Sequence, residues 1–325
     1  MGVGPGKPDH QREPSREQPD AEREVAGHAS GTGHRACQHV RVDRGITVNG
    51  VRLHCVVEGK GPLVLLLHGF PESAHAWRKQ IPALADRFRV VAPDLRGYAE
   101  SEKPPRVSDY RMPVLVADIV GLIGKFDEER AHIVGHDWGG AIAWAAAQTR
   151  PEIVDRLVVL NCPHPLPLQR ALRSLSRQVL RSWYVLFFQL PELPEAILLR
   201  DGAAMLERSL RGNAIRPGTF SEDDILEYRR ALSIPGAATA ALNYYRAVFR
   251  DALTGRTLDA STIIRAPTLL IWAEADFALG RELTQDMQGL FASDFRIDYV
   301  PNTSHWVMEE RPEVVNRLLL DFLLA

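Results

Sequence analysis

Residues 131–149 restrict the fold of this chain more than any other stretch. A mostly apolar run, Ala131-His132-Ile133-Val134-Gly135, leads into His136-Asp137-Trp138-Gly139-Gly140, and an alanine-rich segment follows to Thr149. A short apolar run bounded by glycine reads as a strand covered on both faces. The small residues after it read as a helix that lies close against a sheet. A strand that turns sharply into such a helix belongs to a layered α/β sheet, with the turn residue standing at the carboxyl end of its strand.

The rest of the chain repeats this rhythm. Residues 51–58, 63–68, 88–93 and 157–161 read as strands, and residues 73–85, 113–126 and 139–149 as helices. From His164 to about Asp251 the pattern is helical and punctuated by Pro191, Pro194, Pro217 and Pro235. Strands then return at 267–272 and 295–300, with helices at 281–291 and 312–324. The expected architecture is α/β, a mostly parallel eight-stranded sheet flanked by helices and interrupted by a helical cap. Its parts are residues 39–163 and 256–325 for the core and 164–255 for the cap.

Residues 1–38 are rich in Gly, Pro, Glu, Arg, Gln and His, and no aromatic residue occurs before Phe70. Such a segment buries too little apolar surface to fold alone, so a disordered polar tail is expected. His10, His28, His34 and His39 fit no metal-ligand spacing, and no metal or organic cofactor is expected.

With 45% apolar residues among 325, the remainder holds a full core. A formal charge of -2, from 39 basic and 41 acidic side chains, argues against nucleic-acid binding. Cys37, Cys55 and Cys162 show no metal or redox spacing and leave one unpaired in any disulfide scheme, which favours a reducing compartment. No apolar run approaches the roughly 18 residues of a membrane span, and no signal peptide opens the chain. A cytoplasmic protein without stable membrane insertion is expected, as monomer or dimer. Arg170, Arg173, Arg177 and Arg181 fall on one helical face, read here as a solvated cap surface.

Chemistry enters through Asp137. It occupies the nucleophile position of a G-x-S-x-G elbow, where a carboxylate arrives already ionised. On acyl carbon it would form a reactive anhydride, whereas on an sp3 carbon with a strained or good leaving group it forms an ordinary ester. Epoxides and carbon–halogen bonds are the electrophiles this admits. Hydrolysing the ester requires a base, and His305, in Ser304-His305-Trp306 beyond a late strand, is the best placed of eleven histidines. His68 and His136 belong to the motif loops, where structural hydrogen bonding is expected. Asp276 follows the strand at 267–272 and would orient His305, with Glu274 as its local competitor. The alternative acid position, after the strand at 157–161, holds Asn161. Backbone N–H groups of Trp138 and Phe70 would form an oxyanion hole.

Together His68-Gly69-Phe70-Pro71, Asp94-Leu95-Arg96-Gly97-Tyr98, Gly135-His136-Asp137-Trp138-Gly139-Gly140 and Ser304-His305-Trp306 resemble the motifs of the α/β-hydrolase-fold epoxide hydrolases. The resemblance covers about residues 40–325. Haloalkane and haloacetate dehalogenases share its Asp, Asp and His arrangement. The cap separates the two, because in epoxide hydrolases it carries two tyrosines that hold and protonate the epoxide oxygen. Ser182-Trp183-Tyr184 and Asn243-Tyr244-Tyr245-Arg246 resemble those segments, which implies Tyr184 and Tyr245, with Tyr244 the neighbour most easily confused. An alkoxide leaving group needs such an acid and a halide does not. The resemblance therefore implies a small hydrophobic epoxide and water as substrates, with Phe70, Trp138, Tyr184 and Tyr245 binding the epoxide. The dehalogenase remains the alternative.

Overall fold

The computed structural model describes residues 1–2, 22–24, 40–174 and 176–325. Its strands are β1 (Glu22–Glu24), β2 (Val42–Val48), β3 (Val51–Glu58), β4 (Leu63–Leu67), β5 (Arg89–Pro93), β6 (Ala131–His136), β7 (Val154–Leu160), β8 (Thr268–Ala273) and β9 (Phe295–Val300). They form one sheet in the order β1-β2-β3-β5-β4-β6-β7-β8-β9. From β5 onward every neighbouring pair is parallel, and the β1, β2 and β3 side pairs antiparallel. All five residues of β4 and all six of β6 and β8 are buried, which accounts for their mostly apolar sequences.

Helices cover both faces. On one lie α2 (Met112–Lys125) and α3 (Trp138–Thr149), packed over Leu65, Leu67, Ile133, Val159 and Leu270. On the other lie α1 (Ile81–Ala85), α10 (Val307–Glu310) and α11 (Pro312–Leu323), over Val64, Leu66, Val134, Val158 and Ile271. Alternate strand residues thus feed two separate cores. Between β7 and β8 the chain leaves the sheet as α4 (Pro165–Arg173), α5 (Arg177–Arg181), α6 (Trp183–Phe187), α7 (Leu193–Asn213), α8 (Glu222–Ser233) and α9 (Ala237–Leu253). Non-helical backbone at Arg200 to Ala203 breaks α7 in two. A third apolar cluster, with Phe188, Leu206, Tyr228, Leu242 and Tyr245, joins these helices to Trp306 of the core.

Two expectations need correction and one needs extending. Among the described residues a short ninth strand joins the expected eight, because Glu22–Glu24 of the polar segment adds β1 beside β2. An edge strand offers free backbone groups that short segments of varied sequence can satisfy. The remainder of the expected tail, apart from residues 1–2, lies outside the described residues, as do His10, His28, His34, His39 and Cys37. The helix expected over 73–85 is a 3-10 turn, Ala74–Trp77, followed by α1. Pro82 has no N–H to continue a helix but fits the first turn of a new one. The helix expected over 281–291 is two 3-10 turns, Arg281–Thr284 and Gln288–Leu290, separated at Asp286 by a φ of 54°.

Polar contacts lock the cap onto the core. Asp224 of α8 accepts from His75 Nε2 and Arg78 Nε, each at 2.8 Å. Glu309 of α10 accepts from Arg78 and from the Tyr228 hydroxyl. Glu310 accepts from Ser304 through one oxygen and from the N–H groups of Ile215 and Arg216, in the cap, through the other.

Candidate active site

β6 delivers Asp137 to the carboxyl edge of the sheet, where the backbone turns into α3 with φ 48° and ψ −116° at that residue. Left-handed φ at a non-glycine residue is held only when its surroundings over-determine it. Here the close approach of two loops does so. A Cβ on Gly139 would stand 2.1 Å from Leu67 O, and one on Gly69 would stand 2.4 Å from Asp137 Cβ. The loop after β4 therefore passes directly against the nucleophile position. It presents the Phe70 N–H to Asp137 Oδ1 at 2.8 Å. Trp138 is the first residue of α3, so its N–H belongs to the helix start, where donors have no partner within the helix.

His305 and Asp276 meet below this carboxylate. His305 Nδ1 donates to Asp276 Oδ2 at 2.7 Å, while its Nε2 lies 3.8 Å from Asp137 Oδ2. The second distance is too long for a hydrogen bond, so that oxygen faces the imidazole without a direct bond to it. Asp276 is buried and accepts three further bonds: Asn161 Nδ2 at 2.7 Å, Ala278 N at 2.8 Å and Leu279 N at 2.9 Å. Burial alone would raise its pKa, but His305 and these donors hold it below the usual carboxylate range. Burial likewise lowers that of His305, and Asp276, Asp137 and Glu72 outweigh it, raising the imidazole to about 9. Glu274 is instead paired with Arg281 near the surface.

Sequence reading missed the roles of two polar residues beside this site. Glu72, buried, accepts from Gly69 N at 3.0 Å and pairs with His136 Nδ1 at 2.9 Å. His136 Nε2 donates to the backbone oxygen of His305 at 3.0 Å, so one histidine ties the Gly69 loop to the His305 loop. Asn161 is the second: it donates to Asp276 and accepts from Ala273 N at 3.0 Å, clipping β8 to the end of β7. His68 donates to Gly69 O and accepts from Leu95 N at 3.0 Å.

The cap closes over the carboxylate with aromatic rings. Tyr245, on α9, packs edge-to-face against Trp138 at 4.9 Å and Phe70 at 5.5 Å between centroids. Tyr184, on α6, meets Tyr245 at 5.9 Å, and Phe188 packs against both. Burial raises both phenols, and the negative charge of Asp137 raises them further, so each retains its proton. Tyr244 points elsewhere and donates to Arg96 O at 2.7 Å. Arg246 braces this roof: its guanidinium bonds the Phe188 and Leu190 carbonyl oxygens and the Glu195 carboxylate, tying the segment after α6 to α9.

Known proteins share this arrangement of chain. A family described as alpha/beta hydrolase fold matches residues 62–312. The AB hydrolase superfamily protein YfhM of Bacillus subtilis is 40% identical over 281 residues, covering 86% of this chain and 96% of that protein. Epoxide hydrolase 3 of Xenopus tropicalis is 38% identical, covering 85% of this chain and 75% of its own length. The crystal structure of the Bacillus megaterium epoxide hydrolase in complex with an inhibitor superposes with a TM-score of 0.80 at 32% identity, covering 86% of this chain and all of that one. Carboxylate elbow, buried acid and histidine, inserted cap and relatives agree, and the chain belongs to the epoxide hydrolases of the alpha/beta hydrolase fold.

Proposed function

We propose that this protein hydrolyses a small hydrophobic epoxide to a vicinal diol through a covalent alkyl ester on Asp137. Asp137 Oδ2 attacks one epoxide carbon, the carbon–oxygen bond opens, and a proton from Tyr184 or Tyr245 neutralises the alkoxide. Phenols held protonated by burial are suited to this, since each has a proton to give at neutral pH. His305 then takes a proton from water as hydroxide adds to the ester carbonyl carbon. The resulting oxyanion forms at Oδ1, beside the N–H groups of Phe70 and Trp138. Collapse expels the second diol oxygen, which takes the proton held by His305, and the proton of the new carboxyl group returns to the tyrosine phenolate, regenerating the Asp137 carboxylate. Asp276 holds His305 in the tautomer that leaves Nε2 free to act.

The observation that carries this reading is the division of labour on one carboxylate: Phe70 N–H holds Oδ1 while Oδ2 faces Nε2 of His305 across 3.8 Å. The raised pKa of His305 fits the sequence of steps. Esterification removes the Asp137 charge, a lesser cause than Asp276 of the raised imidazole, and so moves it toward the neutral form that can act as base. The aromatic lining fits an apolar substrate.

Trapping tests the reading. His305→Ala protein mixed with styrene oxide is expected to gain the mass of one oxide, on the peptide that contains Asp137. An unmodified protein, or an adduct elsewhere, rejects it. Halide release from a matched haloalkane without diol formation from the oxide would assign the site to dehalogenation instead.

A further inference from the structure

Residues 156–191 contain five arginines and no aspartate or glutamate. Four of them, Arg170, Arg173, Arg177 and Arg181, lie on α4 and α5, and the first three are exposed. No carboxylate among the described residues pairs with any of the four, whereas Arg246 pairs with Glu195, Arg229 with Glu207 and Arg230 with Glu227 elsewhere in the cap. One nitrogen of Arg181, Nη1, is shielded from solvent and has no hydrogen-bond partner.

The same surface is apolar between its charges. Leu180 is 77% exposed, Trp183 62% and Leu186 63%, and Leu190 and Leu193 follow as further exposed leucines. Positions 180, 183, 186 and 190 recur every three or four residues along α5, α6 and the turn that follows, and each is exposed. Tyr184 and Phe188, between these positions, turn inward to the site. A contiguous apolar patch of this kind on a folded protein marks something that covers it.

We propose that the face formed by α5, α6 and the end of α4 docks peripherally on an anionic lipid bilayer. Leucines flanking an exposed tryptophan suit the headgroup boundary, and unpaired arginines suit the phosphates and acidic headgroups around it. A second copy of the chain is a poorer occupant. A two-fold contact through this face would set arginines against arginines, with no acid in the segment to relieve them. A nucleic acid would leave the leucines uncovered by any apolar partner. Docking by side chains alone also agrees with the absence, among the described residues, of a helix long and apolar enough to cross a membrane.

The test is co-sedimentation of the full chain with vesicles, a readout independent of turnover. Vesicles of equal parts phosphatidylglycerol and phosphatidylcholine are expected to carry the protein down at low salt, phosphatidylcholine alone to leave it in solution, and molar salt to release it. Arg170→Gln, Arg173→Gln and Arg177→Gln together are expected to weaken the partition on the order of a hundredfold. Leu180→Ser with Leu186→Ser should weaken it by at least about tenfold. Both variants should turn over epoxide in the absence of vesicles like the parent protein. Equal binding to the two kinds of vesicle, or a triple variant that binds as well as the parent, overturns the proposal. So does a dimer in sedimentation velocity that the two serine substitutions dissolve, which would give the face to a second copy.

Discussion

The floor and the roof of the site hold their side chains in different ways. On the floor, contributed by the sheet, directional bonds fix each position: Asp276 accepts four of them, from His305, Asn161, Ala278 and Leu279, and Asp137 is held by Phe70 N–H. On the roof, contributed by the cap, rings rest on rings, and Tyr184 and Tyr245 are placed by edge-to-face packing with Phe188, Phe70 and Trp138. Hydrogen bonds tolerate displacements of a few tenths of an ångström, whereas aromatic contacts persist over a wider range. In the mechanism proposed above, the floor would set which bonds are made and broken, and the roof would set what is admitted and how its leaving oxygen is met.

Substitutions break or sharpen that contrast. The largest effect is expected for Asp137→Ala, which removes the proposed nucleophile: kcat for styrene oxide should fall on the order of 10⁵-fold. Activity within tenfold of the parent would move the chemistry off the floor altogether. Next in size is the roof, where Tyr184→Phe with Tyr245→Phe should lower the rate of ester formation by roughly 10²- to 10⁴-fold. Rapid-quench measurement of that step, with ester hydrolysis unchanged, would place the loss on the roof alone.

A smaller change reaches the floor at one remove. Asn161→Ala takes one donor from buried Asp276 and should slow ester hydrolysis by roughly 5- to 100-fold, leaving ester formation near its parent rate. Equal slowing of both steps would show general disruption instead. The smallest effect concerns stability. His305 has its folded pKa raised from 6.5 to about 9, so the stabilisation it contributes is complete below pH 6.5 and is lost as pH rises through about 9. Urea midpoints should decline across that window, and His305→Gln should flatten the decline.

Legibility followed the same division. Asp137, His305 and Asp276 lie at or within five residues of the carboxyl ends of strands, and local sequence reports such positions because strand and turn signals span only a few residues. Asn161 and Glu72 were illegible because their partners lie across the fold, 115 residues away for Asn161 and Asp276, and 64 for Glu72 and His136. The cap tyrosines entered through family resemblance, since nothing in Asn243-Tyr244-Tyr245-Arg246 alone says which ring faces the site. The Tyr244 bond to Arg96 separates them, and that contact joins residues 148 apart. The strand β2 escaped notice because Val42-Asp43-Arg44-Gly45-Ile46 alternates poorly and carries a glycine, while its pairing with β3 supplies the order its sequence lacks.

The bond between Asn161 and Asp276 also bears on recombination. The chain leaves the sheet after β7 and returns on β8, its parallel neighbour, where Leu160 stands beside Ile271. The two junctions of the cap therefore lie on neighbouring strands, and the length of the insertion between them sets no strand position. Crossovers placed between Asn161 and Thr268 leave both partners of that bond in the recipient, while the contacts of Asp224, Tyr228, Ile215 and Arg216 with the core must be matched by any new cap.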